Sequence, residues 1–300
     1  MTEVTNRATP AQWVAGARPR TLPAAVAPVV AGSGLAFFAA AFRPLAALLA
    51  LVVSLGLQVG VNYANDYSDG IRGTDAQRVG PLRLVGSGLA APAAVKGAAF
   101  AGFAVAGLAG LGLVILTRQW WLLAVGVTCV LAAWFYTGGR HPYGYRGLGE
   151  VFVFVFFGLV AVGGTVYVQV GQVSVATLLT GVAIGALACA ILVANNLRDI
   201  AGDTRAGKRT LATRLGPDRT RVLYAGLGGL AAVALIAVAL LTSAWALLGL
   251  GGLLMLVPAL RTVLSGGQGP ALIGVLRSTG LAELGSAIGL AVGLVLAAIA

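Results

Sequence analysis

The sequence predicts an all-α, polytopic membrane protein: nine transmembrane helices, in two related four-helix halves plus a final helix, around a central cavity. Three observations carry this. Hydrophobic residues make up 59% of the 300 residues before 44 glycines are counted, and charged residues make up 10%, against roughly 25% in an ordinary soluble domain. The mean hydropathy is +0.94, and the apolar residues fall in runs long enough to cross a bilayer. These runs do not alternate apolar with polar, which selects helices over the strands of a membrane barrel. A soluble enzyme, a disordered chain and a disulfide scaffold are excluded.

Residues 1–20 are polar and mixed, with Arg7, Arg18 and Arg20, and read as a cytoplasmic segment. Within it, 10–20 predicts a short interfacial helix with Trp13 at the headgroup level. No apolar stretch follows an early basic region before residue 21, so no cleaved leader is expected. Spans are predicted at 21–41, 44–66, 92–116, 119–137, 149–170, 174–198, 220–241, 244–264 and 279–300. Each is near the ~20 residues a bilayer requires. Residues 21–300 then form one membrane domain, with halves at about 21–137 and 149–264.

Charge tests the count. With the N-terminus in the cytoplasm, only Arg43 and Arg118 of the 20 Lys and Arg fall on the opposite side. A wrong span count would scramble that partition. The net charge of +11 is therefore topological and spread over short loops, with no single basic face for nucleic acid. Cys129 and Cys189 lie inside apolar runs and read as buried thiols without a redox role. His141 is the only histidine, which disfavours a histidine metal site or a Ser-His-Asp triad.

The long cytoplasmic loops, 67–91 and 199–219, flank the acids. Five of nine acidic residues occupy two short segments: Asp66, Asp69 and Asp75, then Asp199 and Asp203. At about 100° per residue, Asn62, Asn65, Asp66 and Asp69 share one arc, and Asn195, Asn196, Asp199 and Asp203 share a similar one. Gly70 and Gly73 end the first helix and leave Asp75 in the loop. One such pair could be a solvated helix end. Two matched sets at membrane depth point to function. Clustered carboxylates need a cation, and hard oxygen ligands without a His or Cys cluster suit magnesium or calcium. Magnesium takes few carboxylates and shares phosphate oxygens. The basic residues Arg72, Arg78, Arg83, Arg198, Lys208 and Arg209 would complete a phosphate pocket, although each taken singly also fits a topology or headgroup role.

These residues resemble the UbiA-type intramembrane aromatic prenyltransferases over nearly the whole chain. The finer resemblance is to the branch that prenylates 1,4-dihydroxy-2-naphthoate. Four stretches carry it: Asn65–Asp75, Arg78–Gly88, Tyr145–Glu150, and Asn195–Asp199 with Ala206–Thr210. The third aspartate of the first motif, six residues after the second at Asp75, matches that branch rather than the wider family. Gly138–Pro142 departs from the branch and leaves the role of Arg140 open.

The resemblance implies two substrates, polyprenyl diphosphate and 1,4-dihydroxy-2-naphthoate, and release of diphosphate and CO2 to give demethylmenaquinone for menaquinone synthesis. It implies Mg2+ held by Asp66, Asp69 and Asp75 at one site and by Asp199 and Asp203 at another, with Asn62, Asn65, Asn195 and Asn196 beside them. It assigns Lys208 and Arg209 to diphosphate, beside Arg72, Arg78 and Arg198 of the phosphate pocket read above, and Tyr136 and Arg140 to the acceptor or the cation it attacks. An interfacial tyrosine accounts equally for Tyr136, and helix-dipole stabilisation accounts for Glu150. The setting is the cytoplasmic (inner) membrane, in contact with membrane lipid, with the site facing the cytoplasm. Three rivals remain: a 4-hydroxybenzoate or other acceptor prenyltransferase, a CDP-alcohol phosphotransferase, and a cation-coupled transporter. The two distant motifs argue against the second, and their place at cytoplasmic helix exits argues against the third.

Overall fold

The structure is a computed structural model that describes residues 8–73 and 82–300. Asp75 and Arg78 lie outside the described residues. Among the described residues the regular elements are all helical.

A short helix, α1 (Pro10–Gly16), begins at a capping box: the Thr9 side chain accepts from the Gln12 backbone N–H, and Gln12 returns its side-chain oxygen to the Thr9 N–H at 2.7 Å. The 10–20 interfacial segment thus forms one short helix and a 3-10 turn, Pro19–Thr21. The Tyr63 hydroxyl donates to the Trp13 carbonyl at 2.7 Å and pins α1 over α3 (Pro44–Ile71). Between them runs α2 (Pro23–Phe38), bent 49° from the segment before it. α4 (Pro92–Thr117) lies along α3. Glycine permits that approach: a Cβ on Gly102 would stand 2.9 Å from the Gly60 Cα.

After α5 (Leu122–Phe135) comes a 3-10 turn, Tyr143–Arg146, and then α6 (Gly149–Val170), which holds a π-helical stretch at Phe154–Val160. There Gly158 meets α7 (Val175–Arg205) so closely that a Cβ would lie 2.4 Å from the Gly181 carbonyl oxygen. α8 (Leu211–Leu241) is kinked at Gly216, with φ 75°, just before Pro217. α9 (Ala244–Leu264) is broken by 3-10 turns, and α10 (Ala271–Ile299) closes the bundle. The largest core cluster joins α2, α7, α8 and α10 through Ala27, Ala31, Ile184, Leu235, Leu290 and Leu294.

Among the described residues seven helices are long and apolar enough to cross a membrane, or eight if the bent α1–α2 pair is one span. The expected 119–137 span falls short in either count. α5 has 14 residues, about 21 Å at the usual rise, against a ~30 Å hydrocarbon core. Two other boundaries move for a clear reason. α3 and α7 run five and seven residues past the expected 66 and 198, ending at Ile71 and Arg205. Each is stopped by the next glycine in the left-handed region, Gly73 and Gly207, both at φ +69°. Asp69 and Asp203 are thereby helical. α10 starts eight residues before the expected 279, so Arg277 lies on the helix.

Candidate functional site

A cavity of about 1150 Å³ runs between α3, α4, α5, α6 and α7. One end is polar, with Asn62, Asn65, Asp69, Arg83, Asn195, Asn196, Arg198, Asp203 and Lys208 in its wall. The rest is apolar, with Leu57, Val61, Leu113, Val114, Phe156 and Val160 among its lining. α5 forms one side and has no buried residue. Its Leu123, Val127 and Leu131 line the cavity.

The four residues of the α3 arc, Asn62, Asn65, Asp66 and Asp69, diverge in their partners. Asn62 Nδ2 donates to the Ala17 carbonyl at 2.8 Å and to Thr21 Oγ1 at 3.0 Å. Asn65 Oδ1 accepts from the Thr137 hydroxyl at 2.7 Å. Asp66 faces the loop after residue 81: its two oxygens accept from the backbone N–H groups of Leu84 at 2.7 Å and Val85 at 3.0 Å. Asp69 accepts from the Tyr145 hydroxyl and stands 3.5 Å from both Arg83 Nη2 and Lys208 Nζ. Lys208 also lies 4.0 Å from Asp203 and 4.5 Å from the centre of the Tyr145 ring. The motifs on α3 and α7 therefore meet through one ammonium group.

On α7 the guanidinium of Arg198 grips Asp199 through Nε at 2.7 Å and Nη2 at 2.8 Å, and Nη2 also reaches Asn195 Oδ1 at 2.7 Å. Its Nη1 is buried without a hydrogen-bond partner. Asn196 Nδ2 donates to Glu150 Oε1 at 3.0 Å. The two motifs share a pattern. The inner aspartates, Asp66 and Asp199, are absent from the cavity wall and hold neighbouring groups in place, whereas the outer ones, Asp69 and Asp203, are part of it.

Among the described candidates, the structure gathers Asn62, Asn65, Asp69, Tyr136, Asn195, Asn196, Arg198, Asp203 and Lys208 around one cavity. It places others elsewhere. Arg72 donates to the carbonyls of Thr137 and Gly139 and so staples the end of α3 to the turn after α5. Arg140 and Arg209 are exposed and outside the cavity wall. Sequence reasoning gave no role to Tyr145, Thr137, Thr21 and Gln58, which also line the cavity. Tyr143 is among them too: burial pushes its phenol up, keeping it a donor, and it bonds the Ala132 carbonyl at 2.7 Å.

Residues 25–270 match the UbiA prenyltransferase family. The chain belongs to that family. It is 57% identical to 1,4-dihydroxy-2-naphthoate octaprenyltransferase of Mycobacterium tuberculosis over 274 residues, which is 91% of this chain and 93% of that one. The Escherichia coli (strain K12) protein of the same name is 40% identical, with 84% of each chain covered. In fold, the chain is similar to a UbiA homolog from Archaeoglobus fulgidus bound to DMAPP and Mg2+, with a TM-score of 0.67 at 16% identity, covering 92% of this chain and 99% of that one. A UbiA homolog from Aeropyrum pernix K1 gives the same TM-score at 18% identity, with 91% and 97% covered.

The donor set bears on a metal. Among the described residues no three Asp, Glu, His or Cys side chains gather into a metal-holding group. Asp69 and Asp203 are the acids in the cavity wall. Asn62 and Asn196 have their Nδ2 atoms tied to protein, so each has an amide oxygen to offer. Few carboxylates with neutral oxygens is what magnesium takes when a substrate phosphate supplies the remaining ligands, so the residues fit a metal-diphosphate.

Proposed function

We propose that this UbiA family member transfers a polyprenyl group from polyprenyl diphosphate to 1,4-dihydroxy-2-naphthoate, releasing diphosphate and CO2 and giving the hydroquinone form of demethylmenaquinone, demethylmenaquinol. The observation that carries the reading is a single cavity joining a cationic, carboxylate-bearing pole to an apolar interior. A prenyl diphosphate has that same division, with a charged head and a tail most stable in apolar surroundings. The extensive likeness to the mycobacterial enzyme supports the naphthoate as acceptor.

In this reading Lys208, Arg83 and Arg198 bind the diphosphate and neutralise the charge that grows on it as the allylic C–O bond breaks. The unpartnered Nη1 of Arg198 supplies one ready donor. Asp69 and Asp203, with Asn62 and Asn196, would hold magnesium, which when bound adds Lewis-acid stabilisation of the leaving group. Asp75 is proposed as a metal ligand and Arg78 as a diphosphate-binding residue; both lie outside the described residues. Asp66 and Asp199 act by holding the Leu84–Val85 backbone and Arg198 in place. The aromatic faces of Tyr136, Tyr143 and Phe152, which line the cavity, shield the allylic cation. The naphthoate carbon bearing the carboxylate attacks it, the new C–C bond forms, and loss of CO2 returns the electron pair to the ring.

The topology belongs to the same proposal. The chain crosses the inner membrane nine times with its N-terminus inside, α5 and its flanks making the fourth span. Residues 21–300 form one domain whose halves, about 21–137 and 149–264, each bring one aspartate motif to the cytoplasmic side. The 18-of-20 bias of basic residues toward that side supports this orientation. The test is mass-spectrometric identification of products from purified protein given a polyprenyl diphosphate, Mg2+ and either 1,4-dihydroxy-2-naphthoate or 4-hydroxybenzoate. Product with the naphthoate alone is expected. Product with the benzoate alone would refute the acceptor assignment.

A further inference from the structure

Glu150 opens α6 and takes no part in the roles above. It is 9% exposed and lies outside the cavity wall, whereas Asn196, which it touches, is part of that wall. Two contacts lock it to α7. Its Oε1 accepts from Asn196 Nδ2 at 3.0 Å, and its backbone carbonyl accepts from the Cys189 thiol at 3.1 Å. Cys189 and Asn196 are seven residues apart, two turns on one face of α7. Among the described residues the other carboxylate oxygen, Oε2, is buried without a partner, and Asn196 is the one side chain that hydrogen-bonds the Glu150 carboxylate.

A carboxylate can only accept, whereas an amide has a donor end and an acceptor end. Glu150 therefore dictates which end of Asn196 faces it. With Nδ2 turned to Glu150, Oδ1 is the end left to the cavity. The reversed amide would offer its NH2 group, which repels a cation. A negative charge behind the amide also polarises it and strengthens its oxygen as an acceptor and metal ligand.

We propose that Glu150 is a positioning residue that fixes the Asn196 amide oxygen-first toward the polar pole, making Asn196 a neutral oxygen ligand for a divalent cation. The inference rests on the reading of that pole as a metal-diphosphate site. It assigns a function to a residue that helix-dipole stabilisation would otherwise explain. Partners behind a metal ligand typically matter about 10–100-fold in metal affinity.

The test uses the full-length protein in detergent, with Mn2+ and inorganic pyrophosphate as probes and bound Mn2+ read by electron paramagnetic resonance. Glu150→Leu should weaken Mn2+ binding about tenfold. Asn196→Ala should weaken it comparably, and the double variant should be no worse than Asn196→Ala alone, because Glu150 acts through Asn196. Glu150→Gln, the milder change, permits both amide orientations and should cost two- to threefold, about the statistical loss of one orientation. Adding Asn196→Asp to Glu150→Gln reverses the polarity of the bond, keeps an oxygen toward the cavity and should restore binding, which a packing role for Glu150 would not do. Unchanged Mn2+ affinity in both single Glu150 variants, or additive losses in the double variant, would overturn the proposal. If Glu150→Leu fails to fold, the Glu150→Gln pair decides alone. Prenyl transfer to the naphthoate is measured on the same wild-type preparation. No transfer alongside intact coupling would count against the proposed function and leave this inference standing.

Discussion

Lys208 Nζ stands 3.5 Å from Asp69 Oδ1, although 139 residues separate them in sequence. The ammonium also approaches Asp203 at 4.0 Å, and is 9% exposed. Two acids from different helices are thus drawn toward one cavity by a single buried cation. Removing the cation leaves Asp69 beside Arg83 at 3.5 Å, but it takes away the group that links Asp69 to Asp203 and a donor for the diphosphate. Lys208→Met should therefore raise KM for the prenyl diphosphate about 10- to 100-fold, the range of a charge-assisted hydrogen bond, with KM for the acceptor little changed. Steady-state kinetics with each substrate varied in turn checks this.

The two aspartates of α3 should fail differently. Asp66 is 1% exposed and satisfies two backbone N–H groups. Asp66→Ala leaves both without a partner, at about 1–3 kcal/mol each, so activity and thermal stability should fall together. Asp69→Asn, which keeps an oxygen for the Tyr145 hydroxyl, should abolish transfer while the melting temperature falls less than in Asp66→Ala. Thermal unfolding beside activity measurements separates the two. Equal stability in both variants would contradict the capping role of Asp66.

Arg140 is exposed and outside the cavity wall. Arg140→Ala should change KM for either substrate by less than about twofold, as exposed charges usually do. An acceptor KM raised tenfold would mean that Arg140 reaches the naphthoate carboxylate after all.

Divalent metal should be essential. Thoroughly chelated protein should show no turnover, Mg2+ should restore it, and Mn2+ should substitute in part, since both favour oxygen ligands. Turnover by metal-free protein would refute the assignment of Asp69 and Asp203.

Topology is open to cysteine labelling. Exposed Ser87 and Thr204 should label from the cytoplasmic side after substitution by Cys, and exposed Gln172 from the opposite side. Ser87 and Thr204 on opposite sides would refute the proposed path of the chain.

The helical class and both polar clusters were legible because a bilayer enforces apolar runs and makes acids at membrane depth stand out. Helical spacing correctly grouped Asn62, Asn65 and Asp69. It could not resolve Asp66 from Asp69, since two positions in one arc differ only by which neighbour approaches. Here that neighbour is the Leu84–Val85 backbone, delivered by a loop. The spans were drawn only to 66 and 198 because hydropathy stops at the membrane edge; helical spacing already carried both arcs on to Asp69 and Asp203, and the helices end at Ile71 and Arg205. Tyr145 and Thr137 were missed for a related reason. They reach Asp69 and Asn65 from 76 and 72 residues away, and no local period encodes such a contact. The charge of Arg72 was visible in the sequence, and its backbone carbonyl partners were not.

The central claim is that one cavity couples loss of diphosphate to decarboxylating attack by the naphthoate. The most direct measurement follows carboxyl-labelled 1,4-dihydroxy-2-naphthoate with the purified protein, a polyprenyl diphosphate and Mg2+, counting labelled CO2, free diphosphate and prenylated product together. The account predicts that all three appear in equal amounts and that all three vanish in Asp69→Ala. Prenylated product that keeps its labelled carboxylate, or diphosphate released without CO2, would contradict it.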